Sequence, residues 1–258
     1  MKIEFLNKTQ AREYFKEMDE YALNLKKSDL RVMGFNSREE YFKSFKSNFI
    51  NFNILDKIKY RHYLKKVSHL KITVKLIKIK ETHDMDLFQT RKEAIIVPNL
   101  SKANDSLMVH EVFHIISRKF DFSKLYNVLG FKKCNEEFIK DHGLLTNPDC
   151  VKNNYSINLK VFDKETKKEN EKECIPYLSF PFFKKVKLVG EDKTYHISET
   201  NFQELFPLTS YLSHPEEICA EHFAFKFTGK PISSFILDYE NKPFFNELDN
   251  LMKIYNII

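Results

Sequence analysis

An almost wholly apolar run between Leu107 and Ile116 carries two imidazoles and a carboxylate, in the order His110-Glu111-Val112-Phe113-His114. This H-E-x-x-H stretch limits the possible folds more than any other feature. On a helix, residues four apart share a face, so His110 and His114 aim their rings at one point. Asn104, Asp105 and Ser106 supply N-cap chemistry just before it. Leu107, Met108, Val109, Val112, Phe113, Ile115 and Ile116 make the helix apolar on most sides, which predicts a buried helix ending near Lys119. Polar groups in such a helix need partners, because unpaired burial is costly. A metal ion is one such partner, and zinc takes imidazole nitrogen at about 2.0–2.1 Å. Glu111 sits one step round the helix, where it would reach a metal-activated water better than the metal itself. That is the general-base position of a metal hydrolase. The same short pattern can arise by accident in a chain with nine His and 36 acidic residues, so a second constellation is needed.

A second helix supplies one. Ser213 and Glu216 have capping-box spacing, Pro215 suits a first turn, and Gly229 and Pro231 mark an end. Its apolar stripe is Ile218, Ala220, Phe223, Ala224 and Phe227, while Glu217 and Glu221 lie four apart on a shared face. Two readings are open for that pair. Both can lie in solvent, as is ordinary near a helix start. Alternatively, Glu217 ligates a metal and Glu221 hydrogen-bonds a ligand His, which spares two buried carboxylates an uncompensated repulsion.

Together, His110-Glu111-Val112-Phe113-His114 and Glu217-Ile218-Cys219-Ala220-Glu221 resemble the motifs of gluzincin zinc metallopeptidases. The E-x-x-A-E-x-F form is most similar to toxin-type catalytic domains related to anthrax lethal factor, and the segments around Thr146 to Asp149 and His214 to Glu217 resemble uncharacterised bacterial metallopeptidase-type proteins. The resemblance covers roughly Thr90 to Phe227. It implies one zinc ion held by His110, His114 and Glu217, with Glu111 as base and Glu221 supporting the first His. It also implies a Tyr or His donor for the oxyanion, with Tyr211 first and Tyr155 and His196 after it. The gap of about a hundred residues between the motifs implies an inserted sheet region.

The rest of the chain sets the frame. With 258 residues and 42% hydrophobic content, it can build one large core or two small ones. Only five Gly occur and no glycine-rich phosphate loop is present. Cys134, Cys150, Cys174 and Cys219 form no C-x-x-C pair and read as free thiols. No signal-peptide or membrane-length apolar segment is visible, so a cytoplasmic protein, or one exported without a cleavable signal, is expected. The net charge is +6, with a local basic excess from Lys57 to Lys80 that fits either an acidic partner or a solvated face.

The expected fold is α+β. A helical N-terminal region (1–56) precedes a zincin-like domain (57–258), in which a small twisted sheet lies beside the two motif helices. Helices are expected over Thr9–Lys27, from Ser37, and over Lys57–Val67. Strands are expected over Leu70–Ile79, Ala94–Val97, Ser156–Phe162, Ile175–Phe183 and Val186–Ile197, the last folded as a hairpin around Gly190-Glu191-Asp192, with a charged loop at Lys164–Lys172 and a turn at Asn147-Pro148-Asp149. The expected activity is zinc-dependent cleavage of a protein or peptide extended along an edge strand near Glu93–Val97, with no nucleic-acid or membrane partner. The rival expectations are a zinc-binding pseudoenzyme or non-peptide hydrolase serving as a binding module, and a basic nucleic-acid-binding protein with a chance H-E-x-x-H.

Overall fold

The computed structural model describes residues 1–80, 88–98, 103–134, 144–145, 154–164, 166–179, 183–206, 214–230 and 241–258. The fold is mixed α+β. Strand β1 (Lys2–Leu6) leads into helices α1 (Lys8–Tyr14), α2 (Glu20–Asn24), α3 (Lys27–Val32) and α4 (Arg38–Ser47). Then come β2 (Phe49–Ile50), α5 (Ile54–Tyr63), β3 (Thr73–Ile79), β4 (Gln89–Arg91) and β5 (Ala94–Val97). The H-E-x-x-H helix is α6 (Asp105–Lys119). After it come α7 (Ser123–Val128), β6 (Phe131–Cys134), β7 (Leu144–Leu145), β8 (Asn154–Asp163), β9 (Lys168–Ser179), β10 (Phe183–Leu188) and β11 (Thr194–His196). The chain closes with α8 (Phe202–Leu205), α9 (Pro215–Thr228) and α10 (Lys242–Ile254).

The first sheet has the order β1-β3-β5-β4, with β2 pairing the far end of β3. β1, β3 and β5 run parallel, while β4 is antiparallel to β5. Both faces are covered. Val74, Leu76, Ile95 and Val97 face the core shared with α6 and α9, while Ile77, Ile79, Ala94 and Ile96 face α1 to α4. That is the period-2 alternation of a strand, with each face buried against a different layer. The second sheet, β11-β10-β9-β8-β6 with β7 on β9, is antiparallel and occupies the chain between the two motif helices, as the long gap requires.

The structure changes several expectations. The N-terminal stretch is mostly helical, yet β1 and β2 belong to the first sheet, so residues on both sides of position 56 build one layer. The single helix expected over Thr9–Lys27 is broken. Asp19 caps α2 and also turns its carboxylate onto Arg91, a role it could not play inside a continuous helix. The charged loop expected at Lys164–Lys172 is half strand, because β9 begins at Lys168 and opposite charges meet across the ladder at Asp163↔Lys168 and Lys160↔Glu171. β5 is an inner strand, paired by β3 and β4, so Glu93–Val97 is not the edge; among the described residues that place falls to β4. Asn147, Pro148 and Asp149 lie outside the described residues.

Candidate metal centre

α6 and α9 meet as an antiparallel pair. At one end Ser106 Oγ lies 3.0 Å from Thr228 Oγ1, and at the other His114 meets the first turn of α9. α6 begins where Asn104 Oδ1 accepts the Leu107 amide at 2.8 Å. α9 begins at His214, whose Nδ1 accepts the Glu216 amide at 3.1 Å, with Pro215 in the first turn. It ends at Gly229, whose φ of 69° is the left-handed geometry that glycine adopts without a Cβ clash. Ser213 lies outside the described residues, and the cap that forms is His214.

The donors converge. His110 Nε2 lies 3.2 Å from His114 Nε2. Glu217 turns one carboxylate oxygen to each ring, with Oε2 3.1 Å from His110 Nε2 and Oε1 3.3 Å from His114 Nε2. All three side chains are buried, and Glu217 is only 3% exposed. A tetrahedral ion with ligand bonds of about 2.0–2.1 Å holds neighbouring donors about 3.3 Å apart. The chain's own donor-to-donor distances match that figure. Two imidazole nitrogens and a carboxylate also make a donor set that zinc accepts. The residues present therefore fit one divalent ion.

The electrostatics point the same way. Burial pushes the Glu217 carboxyl up, but His114 and His110 outweigh it and hold it well below the ordinary carboxylate range. Burial pushes the His114 imidazole down, yet Glu217 and Glu216 raise it well above its usual value. His110 is raised in the same way, chiefly by Glu217. Two acids and two imidazoles packed this closely favour a positive charge in their midst.

Glu216, not Glu221, supports a ligand His through a hydrogen bond. His114 Nδ1 donates to Glu216 Oε1 at 3.0 Å, and Ser117 Oγ donates to the same oxygen at 2.6 Å. This bond fixes the His114 tautomer and leaves Nε2 free for a metal. Among the described residues His110 Nδ1 has no hydrogen-bond partner. Glu221 is buried on α9, and the support expected from it for His110 is not among the contacts that form there. Sequence reasoning gave Glu216 only a capping-box role; its adjacency to Glu217 was the one available signal of another.

Glu111 is buried beside the donors, and its charge acts on His110. Its Oε2 accepts a hydrogen bond from Thr90 Oγ1 at 2.6 Å, and the same hydroxyl lies 3.1 Å from the Glu111 carbonyl. Thr90 lies on β4, a three-residue strand of polar side chains that no hydrophobic pattern announces. Tyr155 is half-buried, with its ring 5.1 Å from that of His214 and burial raising its phenol. His196 is exposed and bonded to Ser198, which removes it from the centre. Tyr211 lies outside the described residues. Cys134, Cys174 and Cys219 are free thiols, and Cys150 falls outside the described residues.

Comparison with known proteins adds no relative. No family model matches the chain, no curated protein matches it in sequence, and no solved structure matches its fold. No helix of the described residues is long and apolar enough to cross a membrane.

Proposed function

We propose that the chain is a zinc-dependent peptidase with a zincin-like core of the gluzincin type. One observation carries the reading: His110, His114 and Glu217, brought from two helices, meet at tetrahedral spacing with Glu111 beside them. The ion would be zinc, which when bound supplies a Lewis acid for the scissile carbonyl and lowers the pKa of water. Glu111 would take the proton of the attacking water and return it to the leaving amine, held for that task by Thr90. Glu216 and Ser117 would orient His114. Tyr155 and Tyr211 remain candidates for steadying the oxyanion. An extended peptide would lie beside β4, the strand that carries Thr90.

Metal analysis and turnover test this together. Purified protein should carry about one zinc per chain, and His110→Ala or Glu217→Ala should abolish it. Glu111→Gln should keep the zinc and lower peptide turnover by about 10²–10⁴-fold. Unchanged metal content in Glu217→Ala would remove the third ligand. An equally active Glu111→Gln would remove the base. Full zinc loading with no cleaved peptide in a proteome-wide digest would leave a zinc-binding module instead.

A further inference from the structure

Away from the metal centre, the outward face of α5 carries exposed aliphatic side chains. Ile54, Leu55 and Ile58 are 76%, 75% and 60% exposed, which places them, with Ile254, at the top of the exposed large apolar side chains among the described residues. At 100° per residue they form one stripe centred on Ile58, with Lys57 and Arg61 on one flank and Lys59 on the other. Lys65 and Lys66 continue the positive charge on the next turn. Asp56 is the sole acid between Asn51 and Lys80, and it faces away from this stripe. It is buried, closes the capping box with Asn53, and meets Lys78 Nζ at 2.6 Å. The helix is thus anchored by its back, through Asp56, Tyr60 and Leu64, while an apolar stripe between cations is left outside.

We propose that this face of α5 docks onto an anionic lipid surface, with Ile54, Leu55 and Ile58 entering the headgroup–acyl boundary and the flanking Lys and Arg meeting lipid phosphate and carboxylate groups. A helix lying in the interface needs a narrow aliphatic stripe flanked by cations, and no shape-matched partner. The other occupants fit less well. A second copy would bring like charges together across a twofold contact. Single-stranded nucleic acid would call for exposed aromatic platforms. The aromatic residues here, Phe52, Tyr60 and Tyr63, pack inward on the core. Arg61 lies over the Phe5 ring at 5.2 Å and Lys59 over Tyr63 at 5.8 Å, so their stems are held to the body while their charges stay at the surface. From sequence the stretch fits either an acidic partner or a solvated face, and no membrane partner is expected; the three aliphatic side chains standing out from it are what the fold adds. The inference does not depend on the metal centre.

The test is co-sedimentation of the whole chain with vesicles of phosphatidylcholine and phosphatidylserine, against phosphatidylcholine alone. Binding should require phosphatidylserine and weaken with salt. Lys57→Gln/Lys65→Gln/Lys66→Gln should cut it by about fivefold per charge removed. Ile54→Ser/Leu55→Ser/Ile58→Ser should abolish it with unchanged thermal melting, since all three side chains are exposed. The chain contains no Trp, so Ile58→Trp is a single reporter whose emission should shift to the blue on these vesicles. No sedimentation, full binding by the serine variant, or unshifted emission from vesicle-bound Ile58→Trp would overturn the proposal. Binding of RNA or of polyglutamate without vesicle binding would overturn it too, in favour of an acidic macromolecule.

Discussion

Two buried charged clusters lie on opposite faces of the same sheet and resolve their charge in opposite ways. On the N-terminal face, Arg91 is fully buried, yet it is closed by the chain itself. Asp19 accepts from both Nε, at 2.9 Å, and Nη2, and Tyr41 Oη accepts from Nη1 at 3.1 Å. The rings of Phe45, Tyr21, Phe15 and Tyr41 surround the guanidinium, Phe45 at 3.7 Å from its centre. On the other face, the ring nitrogens of His110 and His114 and the two carboxylate oxygens of Glu217 converge on one point. The first cluster is a finished ion pair. The second is a convergence of ligand atoms that could hold a metal ion. The lesson is that burial of charge alone does not mark a site; a convergence of ligand atoms does. β4 joins the two, since Arg91 points to one cluster and Thr90 holds Glu111 in the other.

The largest effect is expected from Arg91→Leu, which strands Asp19 in an apolar pocket. It should cost about 3–5 kcal/mol of stability, and Asp19→Asn added to it should restore part of the loss. Chemical denaturation of metal-free protein reads this out, and a loss under 1 kcal/mol would show that the pair is not closed as described.

The next test uses His222, a fully buried imidazole on α9. Burial lowers it to about 4, although its Nδ1–H donates to the Ile218 carbonyl at 2.7 Å. Its folded pKa lies below the unfolded value, so its contribution is present above about pH 6.5 and is lost as pH falls towards 4. The loss should reach about 3 kcal/mol, and His222→Gln should flatten this limb of the pH profile in chelator-treated protein. An unchanged profile would place the acid sensitivity elsewhere.

Smaller effects sharpen the metal side. Glu216→Gln keeps an acceptor for His114 but removes a charge, and should weaken zinc binding about 10–100-fold in competition with a chelator. Unaltered affinity would reduce Glu216 to a packing residue. Thr90→Val should lower turnover about tenfold with zinc stoichiometry unchanged, because it removes one hydrogen bond to Glu111. A loss of zinc in that variant would mean that β4 positions the ligands rather than the base.

Much of the local architecture was legible. Asn104 announces α6, and the 3.6-residue period puts His110 and His114 on one face. Ser37 starts α4, and Tyr41, Phe42, Phe45 and Phe49 turn inward as their spacing demands. The hairpin around Gly190 also forms where its turn residues place it. What escaped was set by distant partners. The broken helix around Asp19 follows from Arg91, 72 positions away. The strand at Lys168–Lys172 follows from β8, whose opposite charges make a polar ladder stable. β4 has three buried polar or charged residues and no apolar alternation to reveal it.

By itself the sequence determined which residues could face one another along a single helix, because helical periodicity and capping act over four or five positions. It thereby fixed the two imidazoles, the neighbouring carboxylate and the candidate glutamates of the second helix. Only the tertiary structure decided which glutamate meets both rings, which one steadies His114, and that a threonine from a short strand holds Glu111. Those choices depend on how two helices 95 or more residues apart cross and on which strand ends beside them. The pairing that decides them is made across the fold by packing and charge, where local propensity carries no information.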